Sequence, residues 1–276
     1  MNKRIGLFFV PFALSFSLSQ SVQAEEMVIV GVTEPIEEIT LSAPVHGLFN
    51  KIHVQEGDEI KKGALLVEFE SESERLQMEV RKLIWKDTSE LQAAKTRVRI
   101  MKPLLDSAHK LFEMNGSISK EALEKEQLEY EMAVADLSRV QASEKKEKLE
   151  YELSKTELKR RLLRAPIGGT ITTIHFDEGE RCQASEPVIE LADVSRGVFV
   201  ANVEEVIGHR FSPKQVVDLR VRAGQVERLV KGFVTFVSPV VDQASGLIKI
   251  KVVFDNVGGK IRPGTSAVLV LNEDGR

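Results

Sequence analysis

One short segment of this chain is written twice, and the copies lie far apart. Ala43-Pro44-Val45-His46-Gly47 opens the first, which runs through Lys51-Ile52-His53-Val54-Gln55-Glu56-Gly57-Asp58 to Leu66-Val67-Glu68-Phe69. Ala165-Pro166-Ile167-Gly168-Gly169 opens the second, through Ile174-His175-Phe176-Asp177-Glu178-Gly179-Glu180 to Ile189-Glu190-Leu191. Mates stand 122 residues apart throughout, at 43 and 165, 53 and 175, 57 and 179, and 68 and 190. Such self-similarity means one structural unit used twice. Each copy, at under thirty residues, is too short to bury a core alone. The two must therefore pack on each other, and Ser71 and Arg164 come close in space. Whatever lies between them leaves one body and returns to it.

Inside the first copy Leu48, Ile52 and Val54 alternate with polar neighbours, Glu56-Gly57-Asp58 supplies a turn, Lys62-Gly63 a second, and Leu65 to Phe69 a last strand. Each copy thus reads as a small all-β half. Gly57 and its mate Gly179 are expected at positive φ, where a side chain costs energy. The single cysteine, Cys182, is the mate of Ile60. It reads as a small buried apolar residue on a strand rather than a reactive thiol, and one thiol cannot form an internal disulfide.

At Glu70-Ser71 the period changes. Leu76, Val80, Leu83, Ala94, Met101, Leu104, Ala108 and Leu111 recur every three to four residues, a helical stripe that turns polar at Asp87, Glu90 and Arg97. That polarity implies an imperfect seam or a shift of register. Pro103 is expected to kink the helix or to start a fresh one. Asn115-Gly116-Ser117 ends it, with Gly116 suited to a C-terminal cap, and Ser119 is the N-cap of the return. The return carries Leu123, Tyr130, Leu137, Tyr151 and Leu158 at sevenfold spacing, Glu144 in the remaining slot, Val134 and Val140 flanking, and Lys and Glu nearly everywhere else. Sustained heptads with charged flanks indicate a coiled coil. Two arms of about forty residues span roughly 60 Å, so residues 71–164 read as an antiparallel rod.

Beyond the second copy, residues 197–203, 216–221, 229–237, 247–254 and 267–271 are alternating or β-branched, punctuated by Gly224, Ser238-Pro239, Gly246, Gly258-Gly259 and Pro263-Gly264. Short strands at this spacing suggest a small barrel. Residues 204–210 are expected to form one or two helical turns, and the strands before residue 43 to join the barrel.

Composition excludes several classes of function. A formal charge of −4 without a basic stripe gives nucleic acid nothing to bind, and 6% aromatic residues with a single Trp supply no stacking platform. Runs such as Lys145-Lys146-Glu147-Lys148 are interleaved with acids and read as solvated helix. Residues 1–24 combine Lys3 and Arg4, an apolar run from Ile5 to Leu18 and a small-residue end at Ala24, the pattern of a cleaved secretory signal; an uncleaved anchor is the alternative. Cleavage takes away two positive charges, from −4 to −6, and leaves an exported, soluble chain. His53 and His175 are repeat mates, His46 and His109 lie in unrelated segments, and no His-Glu-x-x-His motif occurs, so neither catalysis nor a metal centre is expected. The six Met are scattered, with no Met-rich N-terminal stretch for soft metals.

The two copies resemble the halves of a lipoyl or biotinyl carrier domain. A carrier presents a lysine on the tight turn joining its halves. Here residues 71–164 replace that turn, so no swinging arm and no cofactor is implied. A split lipoyl domain with a coiled-coil hairpin and a following barrel resembles the HlyD-type membrane fusion proteins, periplasmic adaptor subunits of tripartite efflux and secretion systems. Ser238-Pro239-Val240-Val241-Asp242, Ile250-Lys251-Val252-Val253-Phe254-Asp255-Asn256 and Ile261-Arg262-Pro263-Gly264-Thr265 are similar to the family's ordered barrel segments. The resemblance implies an α+β multidomain fold: a signal peptide (1–24), N-terminal strands joining the barrel (25–42), a split lipoyl-like β-sandwich (43–70 and 165–191) with an inserted antiparallel α-helical coiled-coil hairpin (71–164), and a small β-barrel (192–276).

It implies further a non-enzymatic adaptor in the periplasm, held at the inner membrane by a transporter of RND or ABC type. The adaptor meets a TolC-type outer-membrane channel and self-associates into a ring, six-membered by resemblance. Many adaptors carry Arg-x3-Leu-x6-Ser at the hairpin tip for channel docking. Here Ser119 holds the Ser position, Phe112 the Leu position and Ala108 the Arg position, with His109 and Lys110 the nearest cations. The implied channel contacts are Leu111, Phe112, Gly116, Ile118 and Ser119. A chain ending at Arg276 carries the expectation that the tail-built membrane-proximal domain of many pump adaptors is absent or rudimentary. Two alternatives stay open: a self-associating coiled-coil scaffold of the envelope, and a metal-efflux adaptor that itself binds cations.

Overall fold

In the computed structural model the described residues are 28–224 and 226–271; the signal segment expected at 1–24 and the chain end at Arg276 lie outside them. The elements run in order β1 (Val28–Ser42), β2 (Gly47–Ile52), β3 (Glu59–Ile60), β4 (Leu65–Phe69), α1 (Glu72–Lys86), α2 (Ser89–Asn115), α3 (Lys120–Arg160), β5 (Leu162–Arg164), β6 (Gly169–Ile174) and β7 (Arg181–Cys182). They continue with β8 (Pro187–Glu204), α4 (Glu205–Gly208), β9 (Val216–Ala223), β10 (Val226–Val237), β11 (Leu247–Asp255), a 3-10 turn (Val257–Gly259) and β12 (Ser266–Val270). Two compact units result, one of residues 35–197 and 256–260, the other of residues up to 34, 198–255 and from 261 on.

In the first unit the repeat is structural as well as sequential. β2 and β6, β3 and β7, and the starts of β4 and β8 each lie 122 positions apart. The shared core is built from mates: Ala43 with Ala165, Phe49 with Ile171, Leu66 with Val188, Val67 with Ile189 and Phe69 with Leu191, all buried. Hydrogen bonds cross between the halves in reciprocal pairs. Gly57 N–H donates to the Ile171 carbonyl at 2.9 Å, and Gly179 N–H to the Phe49 carbonyl at 2.8 Å. The Glu56 carboxylate accepts from Ile174 N–H, and Glu178 from Ile52 N–H, both at 2.9 Å. Gly57 and Gly179 sit at φ of 92° and 88°, left-handed backbone that costs a side chain about 1–2 kcal/mol. Gly63, at φ 86°, has Ser185 as its mate, which keeps the same left-handed turn at φ 71°. Cys182 is buried beside the Val45 carbonyl, 3.9 Å from its Sγ.

The hairpin springs from β4 and returns at β5, where Leu65 pairs with Arg164. Its base is clamped by Arg161, whose guanidinium donates to the His46 carbonyl at 3.0 Å and to the Glu74 carboxylate. Above that, Arg81 bonds Glu150 at 2.6 Å and the Trp85 and Tyr151 rings stack at 5.2 Å. The outgoing arm departs from its expected form. Pro103 lies inside the continuous helix α2, and the interruption falls at Asp87-Thr88. Asp87 is non-helical (φ −77°, ψ 100°), and its carboxylate accepts the Ser89 N–H at 3.0 Å, the competition with helix bonding that Asp offers. Pro103 is exposed, so water can serve the carbonyl that loses its partner.

The seam also differs. Leu76, Val80, Leu83, Leu104 and Leu111, expected on the packed stripe, are exposed, as is Val134. The covered face of α1 carries Met78, Arg81 and Trp85, and that of α2 carries Leu91, Ala94, Val98, Met101, Leu105 and Ala108 in steps of three and four. The return arm keeps its heptads: Leu123, Tyr130, Leu137, Tyr151 and Leu158 face the seam, with Ala133, Val140 and Ser154 between them. The expected stripe holds at Ala94, Met101 and Ala108, and its leucines lie off the face that meets α3.

The second unit is a closed barrel of six strands, in the order β1-β12-β9-β10-β11-β8 and back to β1. Phe199, Leu219, Val221, Val234, Ile250, Val252, Phe254 and Leu269 fill it. Gly31 is needed for closure: a Cβ there would lie 2.4 Å from the Val200 carbonyl and 2.6 Å from the Phe199 ring. The helical turn expected in 204–210 is α4.

Candidate functional site

The far end of the hairpin gathers the apolar residues singled out above. α2 ends where Gly116 turns left-handed (φ 61°) and donates its N–H to the Phe112 carbonyl at 3.2 Å. Ser119 starts α3, its hydroxyl accepting the Ala122 N–H at 3.2 Å. The reversal is thus closed by backbone and cap. Phe112 is 39% exposed, Leu111 is exposed and Ile118 half-buried. Ser119 itself is exposed, with its hydroxyl used by the cap.

One apolar residue of this tip was not among those expected to meet a partner. Met114, 81% exposed, is its most outlying apolar side chain; its place three residues after Leu111, just before the Asn115-Gly116 stop, was the available signal. Ala108, expected on the stripe, is buried in the seam against α3, so the arginine position of the docking pattern points inward here, while His109 and Lys110, which follow it on α2, are exposed. Around the tip the charge is mixed: Lys120 pairs with Glu124 at 3.2 Å. The Glu121 carboxyl is held below its usual range by its own backbone N–H and by the Ser119 hydroxyl.

Elsewhere the mated histidines are structural partners, His53 to Glu68 at 3.0 Å and His175 to Glu190 at 3.2 Å. Among the described residues no three His, Cys, Asp or Glu side chains gather as a metal-ligand set. No helix among them is long and apolar enough to cross a membrane.

A β-sandwich made of two mated halves, a helical rod between the halves and a six-stranded barrel define the membrane fusion proteins, which are not enzymes. The chain belongs to the CzcB-like barrel-sandwich hybrid family, matched over residues 37–193, and residues 199–275 match the CusB-like beta-barrel domain. It is similar to nodulation protein NolF of Rhizobium meliloti, 26% identical over 251 residues, covering 91% of this chain and 64% of NolF. It is also similar to cobalt-zinc-cadmium resistance protein CzcB of Cupriavidus metallidurans, 25% identical over 220 residues, covering 79% of this chain and 39% of CzcB. The chain thus spans less than two thirds of the length of these curated relatives. Among solved structures, MacA from Actinobacillus actinomycetemcomitans shares the fold with a TM-score of 0.69 at 21% identity, over 90% of this chain and 78% of that one. The membrane fusion protein Spr0693 of Streptococcus pneumoniae R6 does so at 0.59 and 12%, over 90% and 99%.

Proposed function

We propose that this protein is a periplasmic adaptor that links an inner-membrane transporter to an outer-membrane channel for efflux or secretion. The observation that carries this reading is the hairpin tip. α2 carries Leu111, Phe112 and Met114 to the end of a rod whose return helix is 41 residues long, where all three are exposed and Ile118 of the reversal is half-buried. Apolar side chains held outward by a capped reversal suit the helical end of a TolC-type channel. Gly116 and Ser119 set the reversal, and Ser119 is presented at its surface. In this reading the sandwich, the hairpin and the barrel each contribute to a ring of sister subunits, and the transporter, of RND or ABC type, holds the protein at the inner membrane.

Cross-linking in intact cells tests it. An adaptor traps both an inner-membrane transporter and an outer-membrane channel; capture of nothing but further copies of the chain would leave the envelope-scaffold reading instead.

A second reading concerns cargo. Two relatives, a cation efflux system protein CzcB and the cobalt-zinc-cadmium resistance protein CzcB, favour divalent cations as what the assembly moves. Sensitivity of a deletion strain to zinc, cobalt and cadmium salts, compared with its sensitivity to organic toxicants, separates the two cargo classes.

A further inference from the structure

Helix α1 turns its less apolar side to α3. No residue of α1 is buried. Leu76, Val80 and Leu83 are 55%, 55% and 66% exposed, while the half-buried side that meets α3 carries Met78, Arg81 and Trp85. On α2 the apolar side is the covered one, with Leu91, Ala94 and Ala108 buried.

These two covered sides do not belong to one helix. At about 100° per residue, Trp85 and Ala94 would stand about 180° apart on an unbroken helix. Leu76 and Ala94 would stand on the same side, about five full turns apart. Val80, Leu83, Met101 and Ala108 fall within about 40° of that line. A continuous outgoing arm would thus lay Leu76, Val80 and Leu83 in the seam, in line with the side that α2 already buries.

What prevents it is the interruption at Asp87-Thr88. The Asp87 carboxylate accepts the Ser89 N–H at 3.0 Å, and its own backbone is extended, with ψ 100°, so the side chain takes the place of a helical bond. Asp87 also falls on the apolar line. Asp87, Glu90, Glu144 and Glu147 border a cavity of about 220 Å³ together with Leu91 and Val140, and of the four Glu90 is paired with Arg139. In a continuous arm the Asp87 charge would enter the seam beside Glu144 and Glu147, an unfavourable place for it. At the other end of α1, Ser71 is non-helical (φ −145°, ψ 14°) and makes no side-chain cap bond. A rotation of α1 can therefore be taken up at both of its ends.

We infer that α1 has two seats on α3. The one seen is held by Glu74 with Arg161, by Arg81 with Glu150 and by the Trp85–Tyr151 stack. In the other, α1 is turned about its own axis by about half a turn, α1 and α2 run on as one helix, and Leu76, Val80 and Leu83 lie in the seam. The first seat keeps two ion pairs and a ring stack; the second covers three large apolar side chains. The Asp87 carboxylate decides between them. A broken arm lets the rod bend at the level of Glu144 and a continuous one opposes bending, so the seats differ in how stiffly the tip is held. The inference concerns the arm alone and stands apart from export and from membrane partners.

The test reads which side of α1 meets Ser154, which is buried on α3. Counting along the helices from the Arg81–Glu150 pair, Met78 and Leu76 both stand about level with Ser154, on opposite sides of α1. In the full chain carrying Cys182→Ala, Met78→Cys with Ser154→Cys closes a disulfide in the seat seen, and Leu76→Cys with Ser154→Cys closes one in the turned seat. Initial rates of closure in a glutathione buffer measure the two populations. Asp87→Leu is expected to raise the rate of the Leu76 pair relative to the Met78 pair about fivefold or more, the weight of one hydrogen bond. Emission of Trp85, the only tryptophan, should shift to the red as the ring leaves Tyr151. Leu83→Glu, exposed in the seat seen, acts the other way and slows the Leu76 pair about fivefold while the Met78 pair closes as before. An unchanged ratio in Asp87→Leu with the Met78 pair still closing overturns the inference, as does a Leu76 pair that never closes with Asp87 in place. Should Asp87→Leu fail to fold and lose both bonds, Leu83→Glu decides alone: a Leu76 pair closing at its former rate overturns the inference.

Discussion

Gly57 donates its amide hydrogen to Ile171, 2.9 Å away and 114 positions along the chain, and its mate Gly179 returns the bond to Phe49. The turn of each half is thereby fastened to a core strand of the other, so neither half is complete alone. Gly57→Ala has room for its methyl group but must hold a left-handed backbone at φ 92°. The variant is expected to lose about 1 kcal/mol, read as a lowered urea midpoint with an unchanged slope. Gly179→Ala should cost the same, by the same mechanism.

The tip is expected to fail by charge. If the tip docks as proposed, Phe112→Asp or Met114→Asp places a carboxylate in an apolar contact, and export should fall about tenfold or more while far-ultraviolet circular dichroism is unchanged. Unaltered export in both would remove these residues from the docking surface.

Arg161 ties the end of the hairpin to its beginning and to the sandwich. Its side chain and that of Glu74 are only 16% and 20% exposed. Arg161→Ala leaves the carboxylate and the His46 carbonyl without their donor, at a cost of about 1–3 kcal/mol. Hydrogen exchange should then quicken first in the opening turns of α1, ahead of the barrel strands.

The Cys182 thiol is pushed up from its ordinary pKa, chiefly by burial. At neutral pH it is expected to resist a thiol reagent in the native protein and to react at once in denaturant. Fast native labelling would mean that the strand pair β2–β7 opens readily.

Glu121 gives a pH dependence with a definite sign. Its folded pKa lies below the unfolded one because its own N–H and the Ser119 hydroxyl favour the carboxylate. The contribution to α3 is therefore present above the unfolded pKa and is lost as pH falls through the folded one. Ser119→Ala should raise the Glu121 titration midpoint, measured by carboxyl NMR, and fray the first turn of α3 at neutral pH.

Much of this architecture could be read from residues alone. A constant offset between mates is a long-range constraint, which is why the sandwich, the inserted rod and the left-handed glycines were legible. Gly116 and Ser119 were legible because caps act locally. The packed face of the outgoing arm was legible only at Ala94, Met101 and Ala108, since exposed leucines such as Leu76 and Leu83 mimic a core stripe until a partner helix is in place. The break at Asp87 competed with Pro103 as the obvious interruption, and a side chain bonding its own backbone outweighed the missing amide. Met114 was passed over because exposure is a property of the reversal, not of residue type.

The divided sandwich also governs the order in which this protein can be made. Phe49, Leu66, Val67 and Phe69 leave the ribosome long before Ile171, Val188, Ile189 and Leu191 exist to meet them, with the whole two-helix arm to be made in between. A nascent chain in that condition displays sticky half-strands for as long as synthesis of the arm takes. Its yield should consequently depend on holding chaperones, and slowing elongation within residues 120–160 should deplete it more than slowing elongation in the barrel.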